Sequence, residues 1–467
     1  MKKFFKVLLT FVFVVLVATS FAACSPAWSG FSSDTTNVTS NSGIAVKYND
    51  YLYFINGTKE TSADANKGNL VLGAIYKVKL NNDGSIAYSD EEKKTFEEME
   101  KVVNALVGFD NGSIHIFGNY LYYATTSNRV NSDAETLYGQ IEFARKDLIS
   151  GNVETFYTTK KSDDTISYAY YFNGDKIDFV IYEKDSKLLS SFSIGDSVKN
   201  NFVKTDITSA IFSDNFGVSQ NTTASIVVDD ADCYIYYTKA ADADGAYPDG
   251  NRVYYATSDG EFDRLLNEKN ESVTLLAIRS GKLIYTVNSY IYADSITAAD
   301  ASLTYDLDTL DGLANILSYK TYDNNQVMFI EKGGHLVLLV YEGSEICIID
   351  WQTNYPDYVP ETIYDFGSDS IKVNFIGIDG DYLVITVDNK VNKIKIFNTG
   401  IDEIVPIALA TTQFEAADEL MAPKIVDGYV YGFATKSGEK YMYRVSLAGP
   451  GSEAIKEAEF VGVIEED

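Results

Sequence analysis

Side chains able to do acid, base or nucleophilic chemistry are unevenly supplied in this chain, which has 67 Asp and Glu but three cysteines and two histidines. A hydrolytic triad or a His-rich metal centre needs a histidine beside a nucleophile or a second ligand at fixed spacing. His115, in "SIHIFG", and His335, in "KGGHLVLLV", each stand alone in strand-like runs, so both read as structural. The carboxylates pose the opposite problem. A two-carboxylate glycosidase site could be assembled from almost any pair, and abundance singles none out. The densest acidic loop, "DDADCYIYYTKAADADGAYPDGN", sets Asp242, Asp244 and Asp249 around Gly245 as the candidate for calcium. It lacks the spaced Asp-x-Asp-x-Asp-Gly and closing Glu of an EF-hand, so a solvated hairpin loop competes with that reading. No Gly-rich loop follows a strand and opens a helix, which leaves nucleotide cofactors unsupported and no catalytic residue assigned.

The cysteines are informative by position. Cys24 ends an N-terminal segment in which Lys2, Lys3 and Lys6 precede the uncharged run "VLLTFVFVVLVATSFAA". A basic start, an apolar stretch slightly short for a membrane span and small residues before the boundary describe a secretory signal. Ala22, Ala23 and Cys24 resemble the lipobox of bacterial lipoproteins, although Phe21 stands where that family usually has an aliphatic residue. The resemblance implies cleavage after residue 23, lipid on the Cys24 sulfur and a body anchored on the outer side of the cell membrane. Residues 24–43, rich in Ser, Thr, Asn and Gly, then read as a flexible tether, with the folded body over 44–467. Cys233 in "DCYIYY" and Cys347 in "EICIID" lie in apolar runs; two buried thiols are favoured, with a disulfide between them as the alternative in an exported protein.

Net charge narrows the partners. The formal charge is −29, and loss of the three leader lysines makes the mature chain more negative still. Such a surface repels phosphate backbones and anionic head groups, so nucleic acid is excluded and membrane contact is expected through the lipid anchor alone. A basic or metal-bridged partner suits it better.

Positioning elements follow from a repeat. "KYNDYLYFING", "GNYLYYATT", "DGDYLVITV" and "DGYVYGFAT" each place aromatic and β-branched residues after an Asn, Asp or Gly turn, the chemistry of a two-residue hairpin. Eight copies have turns near residues 50, 119, 174, 231, 281, 324, 380 and 428. Their spacing of roughly 54 residues suits a blade of about four strands in a β-propeller. The expected fold is therefore all-β, an eight-bladed propeller, or a seven-bladed one if the copy near 174 belongs to a neighbouring blade. "YLYFING…GAIYKVKLNNDGS" is similar to the blade pattern of bacterial lipoprotein propellers related to the low-density-lipoprotein-receptor type, best over residues 48–86 and 232–260. That resemblance implies the fold and, loosely, a surface interaction module; the receptor-type "YWTD" tetrapeptide is absent.

One segment breaks the pattern. In "YSDEEKKTFEEMEKVVNALVGF", Ser89 and Glu92 form a capping box, and Phe96, Met99, Val102, Val103 and Leu106 share a helical face, so a helical insertion is expected near residues 90–107. The functional expectation is a surface-anchored module that binds an extracellular protein, peptide or glycan without catalysis, through loops such as 56–72, 126–136 and 238–251. A carbohydrate-active enzyme on the same fold is the alternative, since secretion, acidity and abundant tyrosines also suit it. A solute-binding importer lipoprotein would need alternating helices and strands, which the pattern lacks.

Overall fold

The computed structural model describes residues 34–58, 70–107, 114–126, 140–161, 361–397, 406–410, 420–436, 439–448 and 456–463, together with Ser32 and Thr412. Between 165 and 350 it describes the strands and a few residues beside them. The signal segment, Cys24 and the acidic loop bearing Asp242, Asp244 and Asp249 lie outside the described residues, as do residues 59–69 and 127–136 of the loops singled out above.

Among the described residues the chain is all-β. Its strands form eight antiparallel sheets of three to five strands in chain order, plus one two-stranded ribbon. Each sheet is a meander, because consecutive strands joined by short connections pair with their neighbours. The first strands are Ala45–Tyr48, His115–Phe117, Ile166–Asn173, Thr223–Asp229, Val273–Arg279, Val327–Lys332, Val373–Asp379 and Met421–Val426. The first sheet carries one further short strand, Val38–Thr39, on the outer side of Ala45–Tyr48.

Hairpin chemistry sets these first turns. Pairs such as Tyr48 with Tyr51, Phe117 with Tyr120, Asp379 with Tyr382 and Val426 with Tyr429 close the hairpins. Asn49, Gly118, Gly380, Asp427 and Gly428 supply the positive φ those turns require. Seven of the eight turns fall where the sequence puts them. The exception is the sixth: residue 324 lies outside the described residues, and the hairpin instead joins Lys332 to His335. Among the described residues "QVMFIE" is thus the first strand of its sheet, because "KGGH" supplies an equally good turn nine residues later.

The helical insertion is corrected. Tyr88–Asp90 and Thr95–Phe96 form a ribbon, and Met99–Val103 is the outer strand of the first sheet, paired with Ile75–Lys79. The expected cap Ser89 and its neighbour Asp90 serve a turn: Ser89 Oγ donates to the Thr95 carbonyl at 3.2 Å, and Asp90 Oδ1 accepts from the Lys93 amide at 3.1 Å. The same apolar residues satisfy either period over so short a span, and an unpaired edge on Ile75–Lys79 decides for a strand.

Successive sheets touch through their first strands. Ala45–Tyr48 packs on His115–Phe117 of the second sheet and on Met421–Val426 of the eighth. Thr223–Asp229, Val273–Arg279, Val327–Lys332, Val373–Asp379 and Met421–Val426 each contact the next in line, and the second and third sheets share an aromatic core. Both faces of a sheet are therefore covered, which is why Leu52 to Ile55 and Tyr120 to Ala124 are buried without alternation.

Residues 34–43, read from composition as tether, run along the first two sheets. The Gly118 amide donates to the Asp34 carbonyl at 2.7 Å, and the Asn41 side chain bonds both the amide and the carbonyl of Ile116 at 2.8 Å. Their polar side chains replace a missing ladder, something composition alone does not reveal.

Candidate functional site

Several charged side chains are engaged at the seam where the first and eighth sheets meet. Its apolar base combines Leu52, Phe54 and Ile75 with Val426, Phe433 and Met442 in one cluster. Polar groups cross above it. Lys47 pairs with Asp427 at 2.5 Å, the Thr58 amide donates to the Lys440 carbonyl at 3.0 Å, and Asn56 bonds both the amide and carbonyl of Val463.

Lys424 reaches across the same seam. A register shift between Met421 and Lys424, with Ala422 at φ +47°, bulges the strand and aims the amine at the Ser40 and Ala45 carbonyls. Burial away from water pushes its pKa down to about 7.

A cleft of about 780 Å³ opens on this seam between the two-stranded ribbon and the outer strands of the eighth sheet. Arg444, 3% exposed, stands at its base. Its guanidinium lies 4.4 Å from the Tyr429 ring centroid, holds Glu459 through Nε and Nη2 at 2.7 and 2.5 Å, and donates to the Gly84 carbonyl at 3.2 Å. Tyr88 donates its hydroxyl to the other Glu459 oxygen at 2.6 Å, and Lys94 lies over the Tyr88 ring at 4.6 Å. Phe96 stacks on Tyr88 at 5.5 Å, and Phe460 completes an aromatic wall.

This arrangement determines what the cleft can do. Burial, followed by the bond to Glu459, pushes the Tyr88 hydroxyl well above the ordinary tyrosine range, so its phenolate is no base near neutral pH. Glu459 in turn is held by Arg444, Tyr88 and Lys94, the last at 3.8 Å. A carboxylate so engaged holds Arg444, Tyr88 and Lys94 in fixed positions around it. What remains toward solvent is an aromatic surface edged by charge, suited to holding a ligand.

The residues singled out from sequence lie elsewhere. His115 begins its strand and packs against Tyr170 and Phe117 at ring distances of 4.6 and 6.1 Å, a structural setting. His335 begins the second strand of the sixth sheet. Cys347 is a free, half-buried thiol whose pKa burial raises, the opposite of a reactive cysteine. Among the described residues no three His, Cys, Asp or Glu side chains converge as metal ligands, and no helix is long and apolar enough to cross a membrane. Arg444, Glu459 and Tyr88 escape sequence reasoning because they meet only through the seam, although "YMYR" and "AEF" do mark the strands that carry two of them.

No family model and no curated protein matches the chain. Solved structures that superpose on it include a puromycin-hydrolyzing peptidase of Mycobacterium tuberculosis, 12% identical with a TM-score of 0.37 over 72% of this chain and 46% of that one. The β-propeller domain of the Trilobed protease from Pyrococcus furiosus is 11% identical with a TM-score of 0.35, over 70% and 90% of the two chains. The polysaccharide lyase Uly1 is 13% identical with a TM-score of 0.39, over 88% and 100%. The chain thus spans about half the length of the mycobacterial peptidase. At these scores the likeness decides neither blade number nor activity.

Proposed function

We propose that this protein is a lipid-anchored module on the outer side of the cell membrane, whose body is one ring of eight blades and whose seam cleft binds a peptide or glycan without transforming it. Eight meander sheets in chain order, with the first strand of the last sheet packed on that of the first, support the ring and favour eight blades over seven. The lipobox-like "FAAC" supports the anchor.

The binding reading is carried by the state of the cleft's ionisable groups. Arg444, Glu459, Tyr88 and Lys94 satisfy one another, leaving the aromatic wall of Tyr88, Phe96 and Phe460 as the face offered to a ligand. Two experiments test these readings. Cys24→Ala should move the protein from the detergent phase to the aqueous phase on partitioning, and persistence in the detergent phase points to an uncleaved anchor. A screen of immobilised peptides and glycans against the purified protein should retain a ligand that Phe96→Ala loses. Depolymerisation of a polysaccharide by the same preparation, with nothing retained at any salt concentration, would instead establish the enzyme.

A further inference from the structure

The hairpin between Ile141–Asp147 and Val153–Thr158 displays two aliphatic side chains to water, Ile149 at 77% and Val153 at 55% exposure. These are the large hydrophobic residues recorded as exposed among the described residues. We propose that this tip, residues 148–153, is a bilayer contact that seats on the membrane beside the N-terminal lipid anchor and sets the orientation of the body. The proposal rests on the reading of Cys24 as the lipid-bearing residue.

Its construction is rigid. Asp147 is fully buried, and its carboxylate accepts from the Ile149 amide at 2.9 Å, the Ser150 amide at 3.2 Å, the Ser150 hydroxyl at 2.7 Å and the Asn119 side-chain amide at 3.2 Å. Gly151, at φ +77°, closes the turn with its amide on the Asp147 carbonyl. A buried carboxylate thus organises a loop whose apolar side chains stand exposed.

Charge also separates this tip from the rest of the surface. The stretch "LISGNV" carries none, in a chain of net charge −29. The flanking Asp147 is buried, and Glu154 pairs with the buried Arg145 at 3.2 Å. An acidic body approaches a bilayer most easily through such a neutral apolar point.

The Leu148 amide donates to the Asn119 carbonyl at 2.8 Å, while the neighbouring Gly118 amide donates to Asp34. A Cβ on Gly118 would collide with the Ser32 carbonyl, so the N-terminal chain reaches the body against the very turn that supports the tip. From Cys24 to Ser32 the chain can extend at most about 28 Å, at roughly 3.5 Å per residue. The sheet edge carrying Gly118 and Ile149 is therefore the edge held nearest the anchor. Two aliphatic side chains are too few to hold a soluble protein on a membrane, but they suffice to orient one already tethered.

The test uses the lipidated full chain in phosphatidylcholine vesicles, with Cys233→Ala and Cys347→Ala as background. A nitroxide is attached at Ile149→Cys, at Val153→Cys, or at Glu439→Cys, an exposed position at the opposite edge of the eighth sheet. The expected result is that labels at 149 and 153 gain accessibility to oxygen and lose it to an aqueous nickel chelate, while 439 shows the reverse. Protein that floats with the vesicles but has all three labels equally open to nickel would overturn the docking and leave the anchor standing. Protein that fails to float overturns the anchor and the docking with it. Labels at 149 and 153 shielded from both reagents would mean a protein contact, which also overturns it.

Discussion

Two joints between neighbouring sheets are built on different principles. Between the second and third sheets the interior is aromatic: Phe143, Phe156, Tyr170, Phe179 and Phe192 meet at ring distances of 4.9 to 6.4 Å. Between the eighth and first sheets an apolar base is overlaid by crossings from Lys47, Lys424, Arg444, Asn56 and Tyr88. The chain itself leads from the second sheet into the third, so their relative placement is constrained before any packing forms. Among the described residues no strand is shared between the eighth sheet and the first. Directional bonds there set the register, since a hydrogen bond holds only within a narrow range of distance and angle.

If that contrast is right, the seam should fail first when its polar partners are removed. Deleting residues 456–467 removes the outer strand of the eighth sheet and the Val463 bonds to Asn56, and leaves the Arg444 guanidinium buried without its carboxylate. The expected loss is on the order of 5 kcal/mol, read as a fall in denaturation midpoint. An unchanged midpoint would show that the apolar base alone closes the seam.

The aromatic joint should respond through volume instead. Phe179, fully buried, touches the rings of Phe143, Phe156 and Phe192, and Phe179→Ala should cost about 4 kcal/mol with little dependence on salt or pH. Chemical denaturation at two salt concentrations checks both halves of that statement.

Lys424 sharpens the comparison through pH. Its pKa, about 7 in the folded protein, lies below the ordinary lysine value of about 10.4, so the folded state binds fewer protons than the unfolded state between those limits. Stability from this group is therefore lowest below pH 7 and rises with pH up to about 10.4. Lys424→Met should flatten that rise by about 4 kcal/mol, measured as the difference between the two proteins' stability curves from pH 6 to 10. Lys47 and Asp427, on the same seam, pair with each other and are common to both proteins.

The smallest expected effect is at the bulge. Ala422 at φ +47° occupies a region that costs a side chain about 1 kcal/mol, and Ala422→Gly should recover part of this. A lower melting temperature in that variant would mean that unfolded-state entropy outweighs the strain.

The cleft and the repeat differ in how visible they are in one dimension. The turns near 50, 119, 380 and 428 are legible because positive φ is a property of one or two residues, and Asn, Asp and Gly announce it. "YDNN" near 324 announces it equally well, yet the sixth hairpin closes between Lys332 and His335, since a local turn signal cannot choose between two nearby candidates. The span 90–107 misleads for a related reason: Phe96, Met99 and Val103 fit a helical face, and only the waiting edge of Ile75–Lys79 selects a strand.

Sequence by itself determined the secondary-structure class, the strand-turn period, the acidic surface and the expectation of an anchored N-terminus. Each rests on residue type or short spacing, which survive without a fold. Tertiary structure alone decided that Tyr88, Arg444 and Glu459 form one network, that Lys424 loses its water, and that Ile149 stands beside the point where the N-terminal chain arrives. Tyr88 and Glu459 are 371 positions apart in the chain. Only the packing of the last sheet on the first brings them within 2.6 Å, and no local pattern encodes a contact made at that range.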